Sequence, residues 1–317
     1  MTRGRFLLRR LAMLLASLLV ASFVIFGSIY LAPGSALSAL TGGRALPPSA
    51  TAALTRQYHL NQPFLAQYWY WLSNAVRGNL GTSIEWRESV STLMGGLAWT
   101  TAGLVLYASL LICVFGIGLG VLAGLRPGWL DTSTLVGTAI TAALPSFAAA
   151  MALVAVFAVQ LRWFPALGNG AGFLDNVRHL TLPAIALAIS SLAIVARVTR
   201  AAVREEAGRE HVQTAVSRGI PYRAIVRRHI LRNAAIPITT ITGITIASLI
   251  AVDAVVETAF SLNGLGAFLV KAAQDKDLAV VQGISLVLVI AFVVVNVVVD
   301  LLYAALDPRI TLGTAPA

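Results

Sequence analysis

The sequence predicts an all-α polytopic membrane protein with six transmembrane helices, and three observations carry that prediction. Only 11% of the 317 residues are charged and 58% are hydrophobic, whereas a soluble domain carries roughly 25% charged residues. Mean hydropathy is +0.82, the value expected when lipid rather than a water-excluding core solvates much of the chain. Charged residues bound six uncharged runs, each of at least 18 residues, enough to cross roughly 30 Å of hydrocarbon at about 1.5 Å per residue.

The first run, Leu11 to Gly43, follows Arg3, Arg5, Arg9 and Arg10, a flank that a cleaved signal peptide would share. Its apolar core, Leu11 to Ala32, is 22 residues long, beyond the roughly 7 to 15 of a signal peptide. An arginine-rich tail and a retained first span are therefore expected over residues 1–32. Residues 33–96 form an outer connection rich in Pro, Gly and aromatics, among them Tyr58, Tyr68, Trp69, Tyr70 and Trp71. It reads either as an aromatic belt at the lipid interface or as a folded cap over a pathway. The core, residues 97–307, takes in the second run, Ser89 to Leu125, where Gly116, Gly120 and Gly124 make a small-residue stripe suited to close helix approach. The third run is Thr132 to Leu161. In the fourth, His179 to Ala196, Pro183 falls near the start, where a helix needs no backbone donor. An inner connection, residues 198–235, leads to the fifth run, Asn233 to Val252, and the sixth is Leu278 to Val299. Residues 308–317 are a tail.

Net charge is +10, and the basic residues are 21 Arg and 2 Lys. With a cytoplasmic N-terminus, Arg3, Arg5, Arg9, Arg10, Arg126, nine Arg between Arg197 and Arg232, and Arg309 lie inside, which is 15 of the 23. The excess of positive charge sets the orientation, with both termini cytoplasmic. Topology thus accounts for the basic balance, and no nucleic-acid partner is expected.

Several chemistries are missing. A Walker A loop needs Gly-Lys before Ser or Thr, and the two lysines, Lys271 and Lys276, follow Val270 and Asp275. An ion-coupled carrier would place acids near the bilayer midplane, yet the middles of all six runs carry no charge. His59, His179, His211 and His229 form no metal-ligand spacing, and Cys113 stands alone in an apolar run, so neither a metal centre nor a disulfide framework is expected. Asp253 and Glu257 are four residues apart and share a helix face. Counted from Arg232 they fall near the outer boundary, as an acidic mouth for a cationic substrate or as two solvated interface charges.

The inner connection carries the most pattern. Gly219 followed by Pro221 reads as a helix stop and a helix start, so two short amphipathic helices joined by a sharp turn are expected. Tyr222, Ile225, Val226 and Ile230 would form one apolar stripe, with Arg223, Arg227 and Arg228 facing solvent, phosphate headgroups or an acidic partner.

This segment resembles the cytoplasmic coupling loop, the EAA loop, of binding-protein-dependent ABC importer permeases, in their dipeptide, oligopeptide and nickel branch. Gln213-Thr214-Ala215-Val216-Ser217-Arg218-Gly219, His229, Leu231-Arg232-Asn233-Ala234 and Pro237 carry the likeness, with departures at Gln213, Val216 and Ser217. It extends over nearly the whole chain, through Leu60-Asn61-Gln62-Pro63, Gly78-Asn79-Leu80-Gly81-Thr82-Ser83, Trp163-Phe164-Pro165, Glu257-Thr258-Ala259-Phe260-Ser261 and Leu306-Asp307-Pro308-Arg309. Asn263 stands where the family often has Pro, and Ser35-Ala36 where it often has Asp-Pro.

The resemblance implies a type I ABC importer permease fold in a bacterial cell membrane and half of a translocation pathway. The implied partners are a second homologous permease, one or two ABC ATPase subunits, an extracytoplasmic substrate-binding protein and the lipid bilayer. ATP and Mg²⁺ would sit on the ATPase subunits, with no cofactor in this chain and no catalysis of its own. Peptides are the implied solute, with nickel, haem or another small solute as alternatives and an ATP-independent carrier further off. Glu205, Glu206, Gln213, Thr214, Ala215, Arg218, Gly219, Arg223, His229, Arg232 and Asn233 are the residues expected at, or bracing, the ATPase contact.

Overall fold

The computed structural model describes residues 3–31, 47–57 and 59–306. Ser35, Ala36, Arg44, Tyr58, Asp307, Pro308, Arg309 and the expected tail 308–317 lie outside the described residues. Among the described residues the architecture is helical, with one isolated bridge between Thr82 and Ser89.

In chain order the helices are α1 (Arg3–Leu31), α2 (Pro48–Gln57), α3 (Phe64–Val76), α4 (Val90–Leu125), α5 (Trp129–Ala143) and α6 (Ser146–Gln160). They continue as α7 (Phe173–Ala207), α8 (Glu210–Ser217), α9 (Tyr222–Ala259), α10 (Leu265–Gln274) and α11 (Leu278–Leu306). α4, α7, α9 and α11 are long and apolar enough to cross a membrane, and α5 with α6 makes a fifth if the bent pair is one span. The first expected span lies in α1, helical from Arg3 to Leu31.

The third expected run is not one straight helix. It bends by 101° between α5 and α6, because Pro145 crowds the residue before it out of the α region, and Leu144 is extended at φ −84°, ψ 117°. The Leu144 carbonyl, released from the helix ladder, accepts from Ser190 Oγ at 2.8 Å. The fourth run also differs from expectation. Its helix begins at Phe173, so Pro183 lies in the helix interior rather than in the first turn.

The described contacts divide the chain into two compact units, residues 1–101 with 263–293, and residues 102–262 with 294–317. In the first, aromatic side chains of α3 grip α1: Phe23 meets Phe64 at 5.4 Å and Tyr68 at 5.3 Å, and Phe26 meets Trp71 at 5.5 Å. Trp69 and Tyr70 point outward, so the aromatics of the outer connection are split between internal packing and exposed surface. Below them Val90, Met94, Leu265, Ala272, Val280 and Ile284 form a buried cluster.

In the second unit α7 is the central helix. Its buried face is rich in alanine, with Ala184, Ala186, Ala188, Ala193 and Ala196 all within it. Small residues on both sides let α4 approach closely. A Cβ on Gly120 would lie 2.6 Å from the Ala196 carbonyl oxygen, and one on Gly124 2.8 Å from Val203 Cβ. The glycine stripe is thus filled by the backbone and side chains of α7.

Candidate functional site

The segment 198–235 is less of a loop than its sequence suggests. α7 runs unbroken to Ala207, where the Gly208 amide closes back on the Arg204 and Glu205 carbonyls. α8 follows at once, burying Val212 and Ala215 against Val203, Ile225, Ile230 and Ala234. Its remaining residues, Gln213, Thr214, Val216, Ser217 and Arg218, are exposed. The second expected short helix is instead the opening of α9, continuous to Ala259 through a π-helical turn at Val226–Ile230. Ile225 and Ile230 are buried as the apolar stripe requires, but Tyr222 is 59% exposed and stands off it.

Gly219 makes the turn. Its φ is +70°, a conformation that costs an L-residue with a Cβ roughly 1–2 kcal/mol. The Gly219 amide donates to Val216 O at 2.9 Å and the Ile220 amide to Ala215 O at 3.2 Å, the paired closure of a Schellman motif. Ile220 packs onto the same buried cluster. The sequence Arg218-Gly219-Ile220-Pro221 therefore ends α8, reverses the chain and starts α9 within four residues.

A carboxylate ties the pieces together. Glu206, 7% exposed at the end of α7, accepts from Asn233 Nδ2 at 3.3 Å and forms ion pairs with Arg209 Nε at 2.9 Å and, when the imidazole is protonated, His211 Nε2 at 3.7 Å. One side chain thus joins α7, the start of α8 and α9. Arg209 also donates to Glu205 at 2.9 Å, and that hydrogen bond, with Glu206 beside it, raises the guanidinium above its ordinary pKa. Net, a buried carboxylate held by several donors fixes geometry more than it adds stability.

Among the expected residues, Glu205, Glu206 and Asn233 come together in this hub, while Gln213, Thr214, Arg218 and Gly219 line the exposed side of α8 and its turn. Ala215 belongs to the packing face and is 4% exposed. His229 is half-buried, its ring 6.2 Å from that of His211. Arg223 and Arg232 are exposed on α9. Asp253 and Glu257 are not solvated surface charges but buried, at 1% and 0% exposure. α9 continues past both to Ala259, and Val256, Phe260 and Leu262 are buried as well. Arg209 and His211 were missed by sequence reasoning, because their roles depend on a partner that folding supplies.

Several long apolar helices, with a short exposed helix braced between two of them, are the architecture of a multi-pass membrane protein. The comparisons with known proteins agree. Residues 116–312 match the family described as binding-protein-dependent transport system inner membrane component, and residues 3–90 match its N-terminal companion. The oligopeptide transport system permease protein OppB of Salmonella typhimurium is 33% identical over 308 residues, covering 96% of this chain and 99% of that one. The glutathione transport system permease protein GsiC of Escherichia coli K12 is 31% identical over 306 residues, with 96% and 98% covered. A chain of the MetNI methionine ABC transporter, solved in inward-facing conformations, superposes with a TM-score of 0.54 at 19% identity, covering 68% of this chain and 96% of that one. This chain belongs to the binding-protein-dependent transport system inner membrane component family and has the type I ABC importer permease fold.

Proposed function

We propose that this chain is a permease subunit of an ATP-driven peptide importer, forming half of the solute pathway and taking its power stroke through α8. The observation that carries the reading is the Glu206 hub. An exposed helix of eight residues is tied to the ends of two long spans, so a push on α8 becomes a movement of α7 and α9. The polar edge of α8, from Gln213 to Gly219, is the surface offered to an ATPase subunit, which would also hold ATP and Mg²⁺. The chain contributes no catalytic group of its own. A second permease completes the pathway, and an extracytoplasmic binding protein delivers the solute. α8 and both termini face the cytoplasm, in keeping with the positive charge concentrated on that side. Residues 33–96 face outward, and residues 97–307 form the transporting core.

Peptides are the proposed solute because the relatives that align over nearly the full chain are named for oligopeptides and glutathione. The test is purification from native membranes in mild detergent, followed by reconstitution and uptake of short peptides. The reading expects co-purification with a second permease and at least one ATPase, and uptake that needs both ATP and the binding protein. Recovery of the chain alone, moving solute in ATP-free liposomes, would refute it.

A further inference from the structure

The arginines of α7 grip α5 at matched levels. Near the start of α5, Asp131, 7% exposed, takes a bidentate pair from Arg200, with Nη2 at 2.8 Å from Oδ2, and a further hydrogen bond from Arg204. Two turns on, Arg197 donates to Thr138 from Nη2 to the carbonyl at 2.7 Å and from Nε to Oγ1 at 3.2 Å. At the far end Ser190 donates to the Leu144 carbonyl at 2.8 Å, where α5 stops.

The spacings agree between the helices. Asp131, Thr138 and Leu144 climb α5 by about 20 Å, and Arg204, Arg197 and Ser190 descend antiparallel α7 by about 21 Å. Residues 190, 197, 200 and 204 lie on one face of α7. α6, beyond the 101° bend, has no such ladder. Among the described residues none of its side chains donates a hydrogen bond to α7, and it packs through Ala149 and Ala150. At the break lies a cavity of about 350 Å³, lined by Leu144, Pro145, Ser190, Ser191, Leu249 and Val252 among others.

We infer that α5 travels with α7 as one body, that Leu144–Pro145 is the hinge between this body and α6, and that Asp131 is the positioning residue that keeps α5 in register. The inference rests on the importer reading, because α7 is also the helix that the Glu206 hub joins to α8. A stroke arriving at α8 then reaches the middle of the membrane as a change of angle at the break, with the cavity giving the two half-helices room to move. The buried ion pair sets register here: its guanidinium fork fits the carboxylate in one orientation.

The test uses the complete importer in proteoliposomes, on a Cys113→Ser background. Thr138→Cys with Arg197→Cys, bridged by a flexible, reducible thiol cross-linker, ties α5 to α7. Ala143→Cys with Ser146→Cys, bridged in the same way, locks the hinge. The inference expects uptake within about twofold of the unbridged variant for the first bridge, and at least about a tenfold loss for the second, reversed by reductant, while ATP hydrolysis continues. Loss of uptake on tying α5 to α7, or full uptake with the hinge locked, overturns it. Asp131→Asn, read as ATP consumed per solute imported, is expected to raise that ratio about fivefold or more, with Asp131→Glu closer to the native value. An unchanged ratio in Asp131→Asn overturns the positioning role. If the unmodified complex shows no ATP-dependent uptake, the importer reading falls and this inference with it.

Discussion

The end of α7 with the turn into α8, and the start of α9, each carry four arginines, and the two sets are used in opposite ways. Arg197, Arg200, Arg204 and Arg209 are all engaged, with Thr138, Asp131, Glu205 and Glu206. Arg223, Arg227, Arg228 and Arg232 are exposed and have no carboxylate partner among the described residues. A charge count treats them as one basic belt. The structure separates arginines that build the transport machinery from arginines left available to lipid phosphates or to another subunit.

The largest expected effect comes from displacing α7 itself. Gly120→Leu would drive a side chain into Thr199 and the Ala196 carbonyl, overpacking that costs about 3 kcal/mol or more at so tight a contact. Both sets of arginines lose their frame, and the chain should be recovered in much lower yield, with a lowered melting point in detergent. Gly219→Val comes next. A β-branched residue at φ +70° strains the turn by about 1–2 kcal/mol or more, so membrane insertion should be normal while ATP hydrolysis separates from uptake. Unchanged uptake would show that the turn does not transmit.

Glu206→Ala sharpens the comparison at the engaged end. It leaves the exposed Asn233 amide without its carboxylate acceptor, a loss of about 0.5–1.5 kcal/mol, and should lower uptake more than ATP hydrolysis. The smallest effect on stability belongs to Arg228→Gln with Arg232→Gln, within about 0.5 kcal/mol as expected of exposed substitutions. The same pair should weaken dependence on anionic lipid in reconstituted vesicles. A melting point that falls as far as in Glu206→Ala would mean that the α9 arginines are structural after all.

Much of this was legible in residue types. Gly219 and Pro221 announce the reversal, and the glycines at 116, 120 and 124 announce a close helix seam, because backbone geometry alone demands those residues there. Other features were not. Pro145 stands in plain view within the third run, yet whether a proline kinks a span or breaks it by 101° depends on what receives the released carbonyl, and Ser190 is 46 residues away. Asp253 and Glu257 count as boundary residues by rise per residue, and only the fold shows them enclosed. The Glu206 hub has the same origin: its carboxylate is one of several in Arg204-Glu205-Glu206-Ala207-Gly208-Arg209-Glu210, and burial alone singles it out.

The seam between α4 and α7 has a consequence for permeability. Where the absent Cβ of Gly120 would sit 2.6 Å from a carbonyl oxygen, there is no gap wide enough for a water molecule, let alone a file of them. A transporter that opens and closes a polar route must keep protons from slipping past while it does so. At the levels of Gly120 and Gly124 this pair of helices is a dry gasket, with no room between them for a file of water or for a solute.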